Sequence, residues 1–380
     1  MATNAVGQPG RFDVIFYSPW ITPLLVETDE KATGGAETQV YLIARALASR
    51  GRSVGIVALE ESGPLPDKVD GVWVIGRPPW TGNRGIWGRL IEGLVTIRTL
   101  LRLDTAVFVQ MSAGVTTGLV ALVARVKRRR FIYSSMNVID FDYQDLEPSR
   151  IKLGLYHLGV RLANDIVVQT EEQASLCRQR FGRSSRVVKS VAQLAVRDKS
   201  AGETLLWIGR LAFYKRPLSF IELARRLPKA PFRMVGVDAR AGTALGREVA
   251  RAAQEVPNLE LLPPRPRADL VRLIESAVAV VNTADYEGMP NIFLEGWSLG
   301  VPALALTHDP GGVIEREGLG GFAEGSEERL LMLAKELWET RGQQEGIAER
   351  CRAYIRREHA PEAVAPKWES VLGLDPLDIE

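Results

Sequence analysis

The chain offers little sulfur or imidazole chemistry. Among 380 residues there are two cysteines, Cys177 and Cys351, and three histidines, His157, His308 and His359. Two thiols in helix-like contexts cannot build a disulfide framework, so buried thiols without a redox part are expected. Three histidines with no ligand spacing argue against a zinc site. No stretch approaches the roughly 18 uninterrupted apolar residues of a membrane-spanning helix. The start, Met-Ala-Thr-Asn-Ala-Val-Gly-Gln-Pro-Gly, lacks the basic-then-apolar order of an export signal, and a cytoplasmic protein is expected. A Gly-x-Gly-x-x-Gly fingerprint is missing as well, which disfavours a nicotinamide enzyme. The spacing Asp-x-Asp occurs at Asp140-Phe-Asp142, but away from the diphosphate-binding cations proposed below.

What the chain does have is the mix of a packed globular protein, with 46% apolar and 25% charged residues. Its length favours two domains. The net charge of +2 is unevenly spread: residues 1–190 carry 24 Lys and Arg against 18 Asp and Glu, leaving the remainder acidic. A basic first half suits an anionic partner, a phosphate-bearing acceptor or a membrane surface, and equally an ordinary solvated face.

Short apolar runs alternate with helix-period segments along the whole chain. Phe12–Tyr17 reads as a buried strand. Val40, Ile43, Ala44 and Leu47 follow at helical spacing, Gly51 closes that helix, and Ser53–Leu59 is the next strand. The alternation continues to about residue 181, breaks in a polar stretch near 187–202, and resumes at Thr204–Ile208. It runs on through strands at Phe232–Val235, Leu259–Leu262, Ala277–Asn282 and Pro302–Leu306. This pattern predicts two doubly wound α/β domains, 1–190 and 200–355, with residues 356–380 as a closing segment. Open sheets of this kind bind ligands beyond their carboxyl strand ends, so a crevice facing both sheets is the expected site.

Three segments carry chemistry. The first is Tyr286-Glu287-Gly288-Met289-Pro290-Asn291-Ile292-Phe293-Leu294-Glu295. It puts Glu287 in the loop after a buried strand and Glu295 in the second turn of the next helix. Carboxylates accept from sugar or ribose hydroxyls, and amides at a helix start, near Asn291 and Ile292, suit a phosphate. The second is Gly209-Arg210-Leu211 with Lys215, where two cations follow a buried strand and fit a diphosphate whose charge grows as a bond breaks. The third is Gly34-Gly35 at a helix start, where a backbone can approach a ligand closely. Each segment alone also reads as an ordinary surface loop.

Together, Gly34-Gly35-Ala36-Glu37, Gly209-Arg210-Leu211 with Lys215, and Glu287-x7-Glu295 resemble the retaining family 4 glycosyltransferases (glycosyl transferases group 1). The resemblance runs from about residue 10 to 355. It implies the GT-B fold, two Rossmann-like domains facing a central crevice, with the first on the acceptor side and the second binding a nucleotide sugar. It implies that Arg210 and Lys215 hold the donor diphosphate, Glu295 the ribose, and Glu287 the transferred sugar, with Gly34, Gly35, Gly209, Gly288, Met289, Pro290, Asn291 and Ile292 around the donor. Glu287, Arg210 and Lys215 would be the catalytic group. No metal or resident cofactor is implied, because protein cations take the metal's part. A saccharide or lipid-linked acceptor, and a role in surface or exopolysaccharide assembly, follow from the same resemblance. Residues from about 356 would cross back onto the first domain.

One departure changes the expectations. Many relatives carry a histidine after the strand that here is Phe131–Ser134. This chain has Ser135-Met136-Asn137, and Asn137 can hydrogen-bond a sugar but cannot act as a base. Asn137 and Asp140 are the candidate acceptor contacts. The departure leaves open a non-catalytic sugar-nucleotide or glycan-binding relative, and the fold also serves nucleotide-sugar epimerases. The run Arg125-Val-Lys127-Arg128-Arg129-Arg130 is read either as a peripheral contact with the inner face of a membrane or as a basic helix–strand corner. It has no interleaved aromatics, so nucleic acid is not an expected partner.

Overall fold

The computed structural model describes residues 9–26, 34–60, 63–79, 85–145, 149–194, 202–237 and 242–374. Residues 195–201 of the linker expected near 187–202 lie outside them. The chain divides into two compact units, residues 1–28, 33–191 and 361–380 in the first and residues 29–32 and 192–360 in the second.

The first unit follows the strand–helix alternation. Strand β1 (Phe12–Tyr17) leads through the one-turn α1 (Thr22–Leu25) to α2 (Gly35–Ser49) and β2 (Val54–Leu59). Then come β3 (Lys68–Val69), β4 (Val72–Arg77), α3 (Ile86–Arg102), β5 (Thr105–Met111) and α4 (Val115–Val126). β6 (Arg130–Ser134), α5 (Arg150–Leu162), β7 (Asp165–Val168), α6 (Glu171–Phe181) and β8 (Arg186–Val187) complete the series. The sheet order is β3-β4-β2-β1-β5-β6-β7-β8, all parallel except the β3–β4 edge pair. The chain runs outward from β1 to β4, then returns to β5 on the other side of β1, so β1 and β5 bound the switch point.

Two faces of this sheet are covered differently. Leu100 of α3, Val120 and Val123 of α4, Tyr156 of α5 and Cys177 of α6 pack with Ile15, Phe108 and Tyr133. Glycines set the distance between α4 and α5: a Cβ on Gly118 would strike the Leu155 carbonyl, and one on Gly159 would strike Thr117. The opposite face takes α2 and a helix from the far end of the chain. Val40, Ile43 and Leu47 pack there with Val14 and Phe16.

The second unit holds β9 (Thr204–Arg210), α7 (Pro217–Arg226), β10 (Phe232–Val237), α8 (Ala244–Gln254), β11 (Leu259–Leu262) and α9 (Arg267–Glu275). It continues with β12 (Ala277–Asn282), α10 (Asn291–Ser298), β13 (Ala303–Ala305), α11 (Val313–Glu317) and β14 (Gly320–Phe322). α12 (Glu327–Glu339) and α13 (Glu345–Glu358) end it. The order β11-β10-β9-β12-β13-β14 is wholly parallel and reverses between β9 and β12. The short β3, β8, β14 and α11 escape the periodicity, because elements of two to five residues hold too few positions to show a period. Strand β9 also reaches two residues beyond the expected Ile208 end, pairing Arg210 with Val237.

Helix α14 (Pro361–Leu372) belongs to the first unit. Val364, Ala365, Trp368, Val371 and Leu372 are buried in the α2-side core, with Trp368 edge-on to Phe16 at 6.4 Å. Its polar anchor is Glu369, which accepts from Arg52 at 2.8 Å and from Arg50 at 2.9 and 3.1 Å. At the helix end Arg130 donates to the Leu372 and Val371 carbonyls at 2.6 and 3.0 Å, where unsatisfied carbonyls and the helix dipole both favour a cation. No helix among the described residues is long and apolar enough to cross a membrane.

Burial pushes the Glu369 carboxyl up, but hydrogen bonds and charge from Arg50 and Arg52 outweigh it and hold the group below the usual glutamate range. A carboxylate depressed in the folded state stabilises fully above its unfolded pKa, about 4.3, and loses that contribution as pH falls through the folded value. Glu369→Gln is expected to cost about 3 kcal/mol at neutral pH, because two guanidinium groups lose their carboxylate. In urea melts across pH, the gap between variant and wild type should stay level above about pH 4.3 and close below it. A gap unchanged into strong acid would remove the anchoring role.

Candidate active site

Because the second sheet reverses between β9 and β12, the loops leaving these neighbouring strands part and open a place for a ligand at their carboxyl ends. The β9 loop carries Arg210, Tyr214, Lys215 and Arg216. The β12 loop carries Thr283 to Pro290 and runs into α10.

The two loops are stitched together. Trp207 Nε1 donates to Thr283 Oγ1 at 3.1 Å, and that hydroxyl donates to the Lys215 carbonyl at 2.7 Å. Asp285 N donates to the Tyr214 carbonyl at 2.8 Å, and Ala284 N to Asn282 Oδ1 at 2.8 Å. The Tyr214 and Tyr286 rings stack at 4.9 Å with 8° between their planes. Burial, then the neighbouring Tyr214, Asp285 and Glu287, push the Tyr286 phenol up, so it stays neutral. Arg216 is left-handed at φ 47°, an uncommon conformation for a side chain of its size. Its guanidinium holds it there, reaching Thr307 at 3.3 Å, Asp285 at 3.5 Å and Glu327 at 3.2 Å.

That frame brings Lys215 and Glu287 into contact. Glu287 is 8% exposed, and its Oε1 accepts from Lys215 Nζ and, at 3.5 Å, from Asn282 Nδ2. Arg210 stands exposed at the end of β9, donating to Tyr214 OH at 3.3 Å, and has no carboxylate partner among the described residues. Gly209 lies against its own Trp207 ring, which a Cβ would meet at 3.0 Å. The site therefore joins a cation free for an anion, a cation shared with a buried carboxylate, and a stacked aromatic pair.

Glu295 lies one helix face away and pairs with Arg267 at 3.0 Å, while Arg267 also reaches Gln193 at 3.2 Å. Gly288, Met289 and Pro290 are buried, and the Gly288 carbonyl contacts His308 Nε2 at 3.3 Å. Asn291 and Ile292 open α10 after Pro290. Sequence reasoning missed Arg267, Arg216, Thr283, Tyr214 and His308. The run Pro263-Pro264-Arg265-Pro266-Arg267 after a strand was a readable sign of Arg267; the others show only through tertiary contact.

The first-unit candidates are described within that unit. Gly34 is the N-cap of α2, and its carbonyl accepts from Thr38 N at 3.2 Å and Thr38 Oγ1 at 3.1 Å. Gly35 begins the helix, and Glu37 in the first turn folds back toward Gly34. Asp140 corrects an expectation. Its carboxylate accepts from Met136 N at 2.8 Å, Ser135 Oγ at 3.1 Å, Asn137 N at 3.3 Å and Ala113 N at 3.3 Å, and the residue is 5% exposed. Burial pushes its pKa up against those hydrogen bonds. Asp140 thus shapes the loop rather than meeting an acceptor. Asn137 is half-buried, with Oδ1 accepting from Ile139 N at 3.2 Å and no partner for its amide nitrogen among the described residues.

The basic run spans the corner between α4 and β6. Lys127 donates to the Leu101 carbonyl at 2.7 Å, Arg129 pairs with Asp104 at 2.9 Å, Arg130 holds α14 and Asp165, and Arg128 turns at φ 53°. Among the described residues no three His, Cys, Asp or Glu side chains gather as a metal cage would need.

Comparison with known proteins matches each half to a family. Residues 34–189 match the glycosyl transferase 4-like domain, and residues 202–338 match glycosyl transferases group 1. No curated protein matches the chain in sequence. Among solved structures it is similar to a sucrose-phosphate synthase from Thermosynechococcus elongatus, at 14% identity and a TM-score of 0.77 over 95% of this chain and 98% of that one. WaaG, a glycosyltransferase involved in lipopolysaccharide biosynthesis, is 15% identical at a TM-score of 0.65 over 94% and 99%. S. aureus TarM, in complex with fondaparinux, alpha-GlcNAc-glycerol and UDP, is 16% identical at 0.63 over 74% and 59%.

The Lys215–Glu287 contact is testable apart from any reaction. Lys215→Met strands a buried carboxylate and is expected to lower stability by about 1–3 kcal/mol, with much of that recovered in the Lys215→Met/Glu287→Gln double variant. Chemical melts of the four proteins give the coupling energy. A value near zero would make the pair an ordinary solvated contact.

Proposed function

Because the chain belongs to the glycosyl transferases, with a 4-like first domain and a group 1 second domain, we propose that it moves a sugar, with retention, from a nucleoside-diphosphate donor to a saccharide or lipid-linked saccharide. The glycosyltransferase class and the GT-B fold are established by the family matches and the structural likeness. The donor, the stereochemistry and the pathway are our reading. The observation that carries it is the pairing of an unpartnered Arg210 with a Lys215 shared by buried Glu287, at the switch point of the second sheet. UDP in the TarM complex and the lipopolysaccharide role of WaaG support a nucleotide-sugar donor and a surface-polysaccharide acceptor.

In this reading Arg210 supplies a planar fork and Lys215 a point charge to the diphosphate. Their attraction strengthens as the bond from the anomeric carbon to phosphate oxygen breaks and negative charge gathers on the leaving group. Glu287, drawn toward Lys215, faces the positive charge developing on the sugar. Glu295 takes the ribose hydroxyls, with Arg267 fixing its carboxylate. The acceptor hydroxyl forms the new bond on the face the diphosphate leaves, and its proton passes to the departing phosphate oxygen. Protein cations take the part of a metal.

Melts with UDP, GDP and ADP test the site without knowledge of the acceptor, since a ligand bound only by the folded state raises Tm. One of the three is expected to raise Tm, and Arg210→Ala to abolish most of that rise. With the matching nucleotide sugar, Arg210→Ala and Lys215→Ala should each lower kcat/KM by roughly ten- to a hundred-fold, and Arg210→Lys should restore only part. Glu287→Gln should fall mainly in kcat and Glu295→Gln mainly in KM. Activity is expected to survive a chelator. No response to any nucleotide, or wild-type kinetics in both alanine variants, would take the donor site away from this loop.

A further inference from the structure

The first unit carries a surface that the transfer reaction does not use. Thirteen large apolar side chains are exposed among the described residues, and eight of them lie on α3, α4 and α5. On α3 these are Trp87, Leu90, Leu94 and Leu101, with Arg98 between, at spacings of three and four residues that define one helix face. Trp87 is 75% and Leu94 64% exposed. α4 adds Leu122 and Val126, and α5 adds Ile151 and Leu158.

The three helices form one layer. The glycine contact of Gly118 and Gly159 holds α4 against α5, and Lys127 ties the end of α4 to the end of α3 through the Leu101 carbonyl. Their inner residues, Leu100, Val120, Val123 and Tyr156, are already in the core. The outward apolar side chains therefore have no partner within the unit.

Charge says what that partner is. The three helices hold seven cations, Arg89, Arg98, Arg102, Arg125, Arg150, Lys152 and Arg161, against one acid, Glu92. That acid is taken by Arg77 at 2.7 Å. Arg89, Arg98, Arg102, Arg125, Arg150 and Arg161 have no ion-pair partner among the described residues. The buried centre of a protein–protein contact is depleted in charge, and a second copy of this layer would bring like charges together. A bilayer with anionic headgroups meets both demands at once. Its acyl boundary takes Leu and Ile, its interface favours Trp, and long arginine stems let the charge reach the headgroups.

We propose that the outer face of α3, α4 and α5 docks on an anionic lipid surface. The chain lies on the membrane and does not enter it. Apolar contact and headgroup attraction act together, so the docking weakens as salt screens the charge. This assignment moves the membrane contact away from Lys127, Arg129 and Arg130, which are occupied within the unit, and keeps Arg125 of that run.

The test is sedimentation of the full chain with vesicles of phosphatidylcholine alone, or of phosphatidylcholine and phosphatidylglycerol in equal parts. Binding is expected to the anionic vesicles, at least about tenfold stronger than to the neutral ones, and reduced by salt. Trp87→Ser/Leu94→Ser and Arg98→Glu/Arg102→Glu should each weaken it by about tenfold or more while melting like wild type, because all four side chains are exposed. Met332→Ser, an exposed apolar position on α12, should bind as wild type. The proposal is overturned if anionic vesicles bring down no protein at low salt, or if the two double variants bind unchanged. It is overturned equally if light scattering shows self-association that Trp87→Ser/Leu94→Ser abolishes while vesicles are ignored, since the face then belongs to a second copy.

Discussion

A parallel sheet cannot turn back on itself directly. Each strand must be followed by a crossover long enough to return the chain to the same edge, and a helix is the usual means. Every loop that leaves a strand therefore collects along one edge, and the reversal between β9 and β12 is the single place in the second sheet where neighbouring loops diverge. Arg210, Lys215 and Glu287 come together because of that constraint, although 72 residues separate the lysine from the glutamate. Thr283, Asp285 and the tyrosine stack then convert two loops into one rigid wall. A buried carboxylate facing a lysine is tolerable only within such a frame, since either charge alone would be costly to desolvate.

Much of the fold was legible in the residues. Strands such as β1 and β12 carry the continuous apolar runs Val14–Tyr17 and Ala277–Val281 because helices cover both faces of a parallel sheet. Glu287 and Glu295 were legible because loop and helix follow a recognisable strand. What stayed hidden depends on distant partners. Nothing near Asp140 says that four donors surround its carboxylate, and nothing near Arg216 says that a positive φ will be held by Asp285, Thr307 and Glu327. Isolated charged residues look alike in a sequence, and only the folded surroundings separate a solvated arginine from a clamp.

The charge asymmetry of the chain shows the same distinction. The excess of cations in the first half looked concentrated in the 125–130 run. Folding occupies three of those side chains internally and leaves the unpaired arginines distributed along α3, α4 and α5. A cluster in sequence became a structural corner, and a scattered set became a surface.

Helix α14 bears on the order in which the molecule can be finished. Val364, Trp368 and Leu372 cover the face of the first sheet on which Phe16, Val40 and Leu47 are packed. A ribosome releases residues 192–360 before it releases this helix, so the second unit is complete while the first still lacks part of its wall. Domains otherwise tend to fold in order of synthesis. Here the earliest strands are synthesised first and sealed last, and the interval between exposes an apolar face that a nascent chain must keep from its neighbours.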